Sequence, residues 1–203
     1  MVREAFWNNY TPGCCEHYLL HRMRDCPAFV PELDVVAVDA GKIVGNTVCV
    51  RGIILGDDGK RYGVLTLGPI AVLPEYQRKG VGSAMLDWIR KEAARMGFSA
   101  ILLCGDPDYY ERHGFLPAET KGIRTSDDLY AAALQVCELY DRALDGAAGR
   151  YLEDEVYSVE EAAVQQFDTQ FPPKEKREGT PAQERFHQIA SMRRKAFPDE
   201  TEK

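Results

Sequence analysis

Between Val64 and Phe115 the chain runs through an apolar stretch, a basic glycine-containing turn, an amphipathic stretch, a second apolar stretch and a Tyr-Tyr turn. That order constrains the fold more than any other feature, because two strands joined through a helix lie parallel in one sheet. Val64 to Leu73 is apolar enough for a strand buried on both faces. Pro74-Glu75-Tyr76 turns the chain, and Gln77 to Ser83 opens a helix whose apolar positions Met85, Leu86, Ile89, Ala93 and Met96 recur at helical spacing. Gly97 closes that helix. Ser99 to Cys104 is the next strand, and Gly105 to Phe115 completes the unit.

The turn before this helix has the makings of an anion cradle. A helix N-terminus presents unpaired N–H groups and the positive end of its dipole. Gly80 and Gly82 let the backbone approach a phosphate, Arg78 and Lys79 add charge, and Ser83 adds a hydroxyl. No Gly-x4-Gly-Lys-Ser/Thr loop occurs, which excludes a Walker site. Pro69, inside the strand-like run, removes a ladder donor and marks an edge or a bulge.

Gln77-Arg78-Lys79-Gly80-Val81-Gly82 matches the Gln/Arg-x-x-Gly-x-Gly/Ala signature of the GCN5-related N-acetyltransferases. Tyr110-Glu111-Arg112-His113-Gly114-Phe115 resembles their second hallmark, a tyrosine followed four residues later by Gly-Phe. The resemblance spans roughly residues 14 to 160, and within the superfamily it is nearest to the bacterial YhbS-like branch of predicted acetyltransferases. It implies an α/β (α+β) fold: a mixed, twisted sheet whose central parallel strands splay apart, flanked by helices.

The resemblance also implies acetyl-CoA as co-substrate. Its pyrophosphate would rest on Gln77, Arg78, Lys79, Gly80, Val81, Gly82 and Ser83. Its pantetheine arm would bond the backbone of Ile70, Ala71 and Val72, with an N–H near Ile70 polarising the thioester carbonyl. Tyr110 is the expected proton donor to the departing thiolate, and Tyr109 the packing residue. The acceptor would lie near Glu16 and His17, with Asp127 or Asp128 at the mouth.

Two departures from the family pattern stand out. By the resemblance the chain opens inside the family's first helix, so the first strand is expected to be missing or its role filled otherwise, and a sheet edge to be left exposed. Arg61 to Val72 contains no acid, so the general base is a water or a more distant group. The activity implied is transfer of an acetyl group to a small-molecule amine or peptide amino group by direct attack in a ternary complex. The alternatives are a non-catalytic acyl-CoA-binding or sensing module, and an acyltransferase that uses a longer acyl-CoA.

With 203 residues and 45% hydrophobic content the chain can bury one core. The expected division is an acetyltransferase domain over residues 1–170, then a polar linker and amphipathic tail helix over 171–203. The net charge of −7 argues against nucleic acid. Most of the excess lies late: residues 1–115 carry 14 acids and 13 bases, the remainder 18 and 12. No apolar run approaches 18 residues and no signal-peptide pattern occurs, so neither membrane nor export is indicated. Six cysteines without a Cys-x-x-Cys pair fit a reduced, cytoplasmic setting. Cys14, Cys15, His17, His21 and Cys26 cluster in sequence but match no zinc spacing, so no metal is expected. A monomer or homodimer is expected.

Elsewhere the pattern predicts helices over Glu4 to Asn9, Glu16 to Arg24, Val159 to Phe167 and Pro181 to Phe197. Strands are predicted over Asp34 to Val38, Ile43 to Leu55 and Leu129 to Leu139, with a strand or turn at Val156-Tyr157.

Overall fold

Two long antiparallel strands, β2 (Lys42–Gly56) and β3 (Arg61–Val72), form the spine of the sheet. The structure is a computed structural model and describes residues 1–197. β3 is followed by helix α3 (Val81–Arg95) and β4 (Ala100–Cys104), which returns parallel to β3. β8 (Leu134–Glu138) lies antiparallel on β4, and β5 (Leu116–Pro117) lies outside it. The other edge of β2 is shared by β1 (Val35–Asp39) and β9 (Gly149–Leu152), with β6 (Ile123–Arg124) parallel to β9. The sheet is therefore mixed, as expected.

Its centre is broken by a bulge. Thr47 faces Ile70 and Cys49 faces Leu67, so Gly68 and Pro69 together oppose Val48. One extra residue flips the side-chain parity of a strand. Before the bulge Leu65 and Leu67 face α3; after it Ile70 does, while Ala71 turns to the opposite face. Pairing between β3 and β4 stops at Leu65–Ile101 and Thr66–Leu102. Beyond that point the two parallel strands part.

Helix α3 packs Leu86, Ile89 and Ala93 against Leu65, Leu67, Ile101 and Phe115. Each fully buried Leu or Ile contributes about 1.5–3 kcal/mol. On the other face, α1 (Val2–Phe6) and α2 (Glu16–Met23) cover Val48, Val50 and Ala71 with Phe6, Leu19, Leu20 and Met23. The remainder of that face, around Leu102, Leu134 and Tyr151, is closed by the segment carrying Ile123, Leu144 and Ala147. The two coverings leave a gap beside the parted strands.

Several elements differ from expectation. The run predicted as one strand over Leu129 to Leu139 breaks at Ala132-Ala133 into β7 (Leu129–Ala131) and β8, because β7 pairs with β10 (Arg193–Lys195) in a separate two-stranded sheet. The tail helix, α6 (Pro181–Ser191), ends six residues early, since Met192 leaves the helical region and its carbonyl accepts from Ala132 N–H. Residues 198–203 of the expected tail lie outside the described residues. The first helix ends at Phe6 rather than Asn9. Glu155–Tyr157 is a 3₁₀ turn, with Asp154 accepting from Val156 N–H. β9 was unexpected in sequence; it pairs with β2 across about a hundred residues. Helix α5 (Glu161–Asp168) lies close to the predicted span.

β1 pairs only with β2 among the described residues, and Val36 and Val38 beside its free edge are exposed.

Candidate functional site

Helix α3 begins after Gly80, whose φ of +84° suits glycine, and no side chain caps it. Its first N–H groups are therefore free to meet an anion. Arg78, itself at φ +59°, holds the turn beside them. Lys79 Nζ lies 5.5 Å from the Tyr76 ring centroid. A side chain at Gly82 would place its Cβ 2.9 Å from Tyr109 Oη, so glycine keeps this approach open. Ser83 Oγ is 3.4 Å from His113 Nε2.

The lip of β3 supplies polar backbone to the same groove. Gln77 Nε2 donates to Val72 O (3.1 Å), on the side away from β2, while Leu73 N–H donates to Val44 O on β2. Peptide groups alternate along a strand. Ile70 and Val72 thus turn their N–H groups toward the parted strands, whereas Ala71 turns its own toward β2. Of the three backbone positions expected to face the groove, Ala71 departs, and strand alternation is the reason.

Tyr110 reaches the groove from α4 (Pro107–Tyr110). It packs edge-on to Phe115 and Tyr109, and a Cβ on Gly105 would strike its ring at 2.2 Å. Burial holds its phenol well above the usual tyrosine value, with Tyr10, Tyr109 and Cys104 adding to the effect. Asp106 caps α4 by accepting from Asp108 N–H (3.0 Å), and Arg90 Nη1 donates to His113 O (2.8 Å) on the far side of the turn. The groove bounded by Tyr10, Ile70, Val72, Arg78, Gly82 and Tyr110 has a volume of about 340 Å³.

A second cavity, of about 630 Å³, opens on the opposite face. Thr66 lies beside Tyr151, and Leu102 packs in the core on that face, so Cys104, two residues on, points the same way. The Tyr151 and Thr66 hydroxyls are 2.5 Å apart, and Tyr157 Oη donates to Gly68 O (3.0 Å). Two tyrosines thus pin β3 at the point where it leaves β4. Asp127 and Glu153 also line this cavity, and Asp127 is held by Arg193 at 2.8 and 3.0 Å. Asp128 is bound by Arg124 instead.

Neither Glu16 nor His17 lines either cavity, although Glu16 adds to burial in raising the phenol of Tyr10 on the groove. His17 is buried, with Nε2 3.1 Å from Asp168 Oδ1, Nδ1 3.4 Å from Cys14 Sγ, and its ring against Phe167 and Phe171. It cements α1, α2 and α5. Glu16 folds back to accept from Cys15 N–H (3.0 Å). Among the described residues no three His, Cys, Asp or Glu side chains form a metal-holding group. No helix of the described residues is long and apolar enough to cross a membrane. Nothing local in the sequence marks Glu153, Tyr151 or Tyr157 as lining this cavity; around Tyr110 only Gly105, in its Gly-Asp-Pro turn, carries a signal.

A family model described as an acetyltransferase (GNAT) domain matches residues 32–117. The chain is 35% identical over 87 residues to the uncharacterized N-acetyltransferase YjhQ of Escherichia coli K12, a match covering 43% of this chain. It spans about half (48%) of YjhQ's length. It is 28% identical over 134 residues to E. coli YhbS, covering 66% of this chain and 78% of YhbS. The crystal structure of E. coli YhbS in complex with CoA superposes with a TM-score of 0.66 at 25% identity, over 76% of this chain and 83% of that one. A GNAT acetyltransferase from Brucella melitensis, in complex with acetyl-CoA, gives a TM-score of 0.57 at 23% identity, over 77% and 86% of the chains. Parted parallel strands, an uncapped glycine-flanked helix start and these likenesses agree: residues 32–117 match the acetyltransferase (GNAT) domain, and the fold around them is similar to that of these N-acetyltransferases.

Proposed function

We propose that this protein is an N-acetyltransferase that moves an acetyl group from acetyl-CoA to a primary amine by direct attack within a ternary complex. The observation that carries the reading is the parting of β3 and β4 after Thr66 and Leu102, with an uncapped helix start on one side and Tyr110 on the other. The CoA-bound state of YhbS supports the same ligand here.

In this reading the free N–H groups of α3, with Arg78 and Lys79, hold the pyrophosphate, and Gln77 fixes the turn by its bond to Val72 O. The thioester enters between the parted strands, where Ile70 N–H stabilises the developing oxyanion. Val72 N–H bonds the pantetheine arm. Tyr110 stays protonated throughout the working pH range, since burial raises its pKa. It serves the leaving sulfur as a hydrogen-bond and proton donor. The amine arrives from the 630 Å³ cavity on the opposite face. We assign catalysis to residues 1–170 and treat 171–203 as an appended tail. Six free cysteines, none in a disulfide, favour a reduced, cytoplasmic setting.

Release of free thiol from acetyl-CoA across a panel of amines tests the activity. Calorimetry with Gly82→Asp tests the cradle: the added carboxylate crowds the helix start and repels phosphate, so acetyl-CoA binding should vanish. Unchanged affinity in the folded variant rules out the cradle, and acetyl-CoA binding without thiol release for any amine favours a sensing module.

A further inference from the structure

We propose that Glu153 is the general base of this site, taking a proton from a cationic acceptor amine in the cavity opposite α3. The inference rests on the acetyl-transfer reading.

β3 carries no acid between Arg61 and Val72, so a base must come from another element. Of the two parted strands, β4 reaches the second cavity through Cys104, the lining tyrosines Tyr151 and Tyr157 bond Thr66 and Gly68 of β3, and Glu153 stands in the wall directly after β9. Its carboxylate is near enough to raise the Cys104 thiol and the Tyr151 and Tyr157 phenols, the groups that border the opening.

The other charged groups around it are committed or face elsewhere. Asp127, from the loop before β7, is held by Arg193 of β10. Asp154 caps Val156 N–H and accepts from Cys26 Sγ. Glu155 lines the same wall two residues further on, in the 3₁₀ turn after Asp154. Across the sheet, Asp106 is bound by Arg185. No cation among the described residues pairs with Glu153. Burial raises its carboxyl above the usual carboxylate range, which makes it a stronger base.

The step balances. Glu153 takes one proton from the ammonium and passes it to solvent. The freed nitrogen lone pair forms the C–N bond at the thioester carbonyl, and the C–S bond breaks. The second proton lost from nitrogen matches the one that the thiolate gains as free thiol.

The test is the pH dependence of kcat/KM for wild type, Glu153→Gln, Glu153→Asp and Glu155→Gln, using an acceptor from the thiol-release panel, with acetyl-CoA affinity measured in parallel. Glu153→Gln should lower kcat/KM by about 10²-fold at neutral pH, within the usual range for a general base. The deficit should shrink as pH approaches the amine's own pKa, where free amine no longer needs a base. Glu153→Asp should recover part of the rate, Glu155→Gln, which removes only a charge from the same wall, should lower kcat/KM far less than Glu153→Gln, and acetyl-CoA affinity should hold in all. A Glu153→Gln enzyme equal to wild type, a deficit constant with pH, or an equal loss in Glu155→Gln overturns the base while acetyl transfer stands. Wild-type protein that releases no thiol with any amine overturns both.

Discussion

Arg185 grips Asp106 through two hydrogen bonds of 2.8 Å each and reaches Asp108 at 2.7 Å. Asp106 is the cap of α4, the short helix that carries Tyr110. The tail is thereby fastened to the tyrosine turn, and its own seat is firm. Thr180 and Gln183 form a capping box, and both donate to Asn8 O, at 3.1 and 3.2 Å. The Phe186 ring packs tilted against Tyr10, with centroids 5.0 Å apart. Because small misplacements of a catalytic group cost rate steeply, Arg185→Ala should lower kcat by about 10-fold. Acetyl-CoA affinity should change less. Arg185→Lys should recover little, because a single ammonium cannot bridge both carboxylates as the guanidinium fork does. Steady-state kinetics of the two variants check this; an unchanged kcat in Arg185→Ala would leave the tail a passive attachment.

Tyr110→Phe keeps the buried ring against Phe115 and removes only the hydroxyl. Turnover should fall by about 10²-fold with acetyl-CoA affinity retained. Since burial raises the Tyr110 pKa, no loss of activity from its ionisation should appear below about pH 10 in the wild-type profile. Tyr109→Phe is the control. Tyr109 is partly exposed beside Gly82, and its loss should leave the chemical step largely intact. If Tyr109→Phe is the damaging change, the roles of the two tyrosines are reversed.

The legible part of this molecule is the part whose signals are local. The strand, glycine turn and helix from Val64 to Gly97 follow from side-chain period and turn chemistry, and the structure reproduces them. Pro69 announced the bulge because a missing N–H is visible in any sequence. What escaped depends on partners far along the chain. β9 exists because Tyr151 and Leu152 find Ile54 and Ile53, and β7 separates from β8 because Arg193 to Lys195 pairs with it. The second cavity escaped for the same reason: Tyr151 and Tyr157 meet Thr66 and Gly68 only after the sheet has closed. His17 is expected near the acceptor through the resemblance alone, and the structure buries it against Asp168 and Phe171. Phe167 stacks on His21 and also packs against His17, so both rings belong to the α2–α5 contact.

That contact has a pH signature. Arg3 Nε lies 2.6 Å from Asp168 Oδ1, and this bond to a buried guanidinium holds the Asp168 carboxyl below the usual carboxylate range. A depressed carboxyl contributes stability above its unfolded pKa, and the contribution is lost as pH falls through the folded value. Asp168→Asn leaves Arg3 without its counter-ion, so it should destabilise the protein by about 1–3 kcal/mol at pH 7. The gap between the two proteins should narrow below about pH 4. Urea unfolding at neutral and acid pH measures both, and a gap independent of pH would remove the ion pair as its cause. Acetyl-CoA affinity should be the same in both proteins, since this pair lies apart from the groove.

The acid balance of the acceptor cavity makes a prediction about rate. Arg193 neutralises Asp127, which leaves Glu153, Asp154 and Glu155 as uncompensated charge along the wall. A protonated amine is drawn toward such a wall, and the attraction acts over a Debye length that is about 10 Å at 0.1 M salt and about 3 Å at 1 M. The second-order rate constant for a cationic acceptor should therefore fall as salt rises, while that for a neutral arylamine stays level. Glu155→Gln should reduce the salt slope without altering kcat, because it removes wall charge and not the base. The measurement is kcat/KM against ionic strength for matched cationic and neutral acceptors, with acetyl-CoA saturating so that the cradle's own salt dependence drops out. A flat profile for the cationic acceptor would remove electrostatic steering and leave shape alone to select the amine.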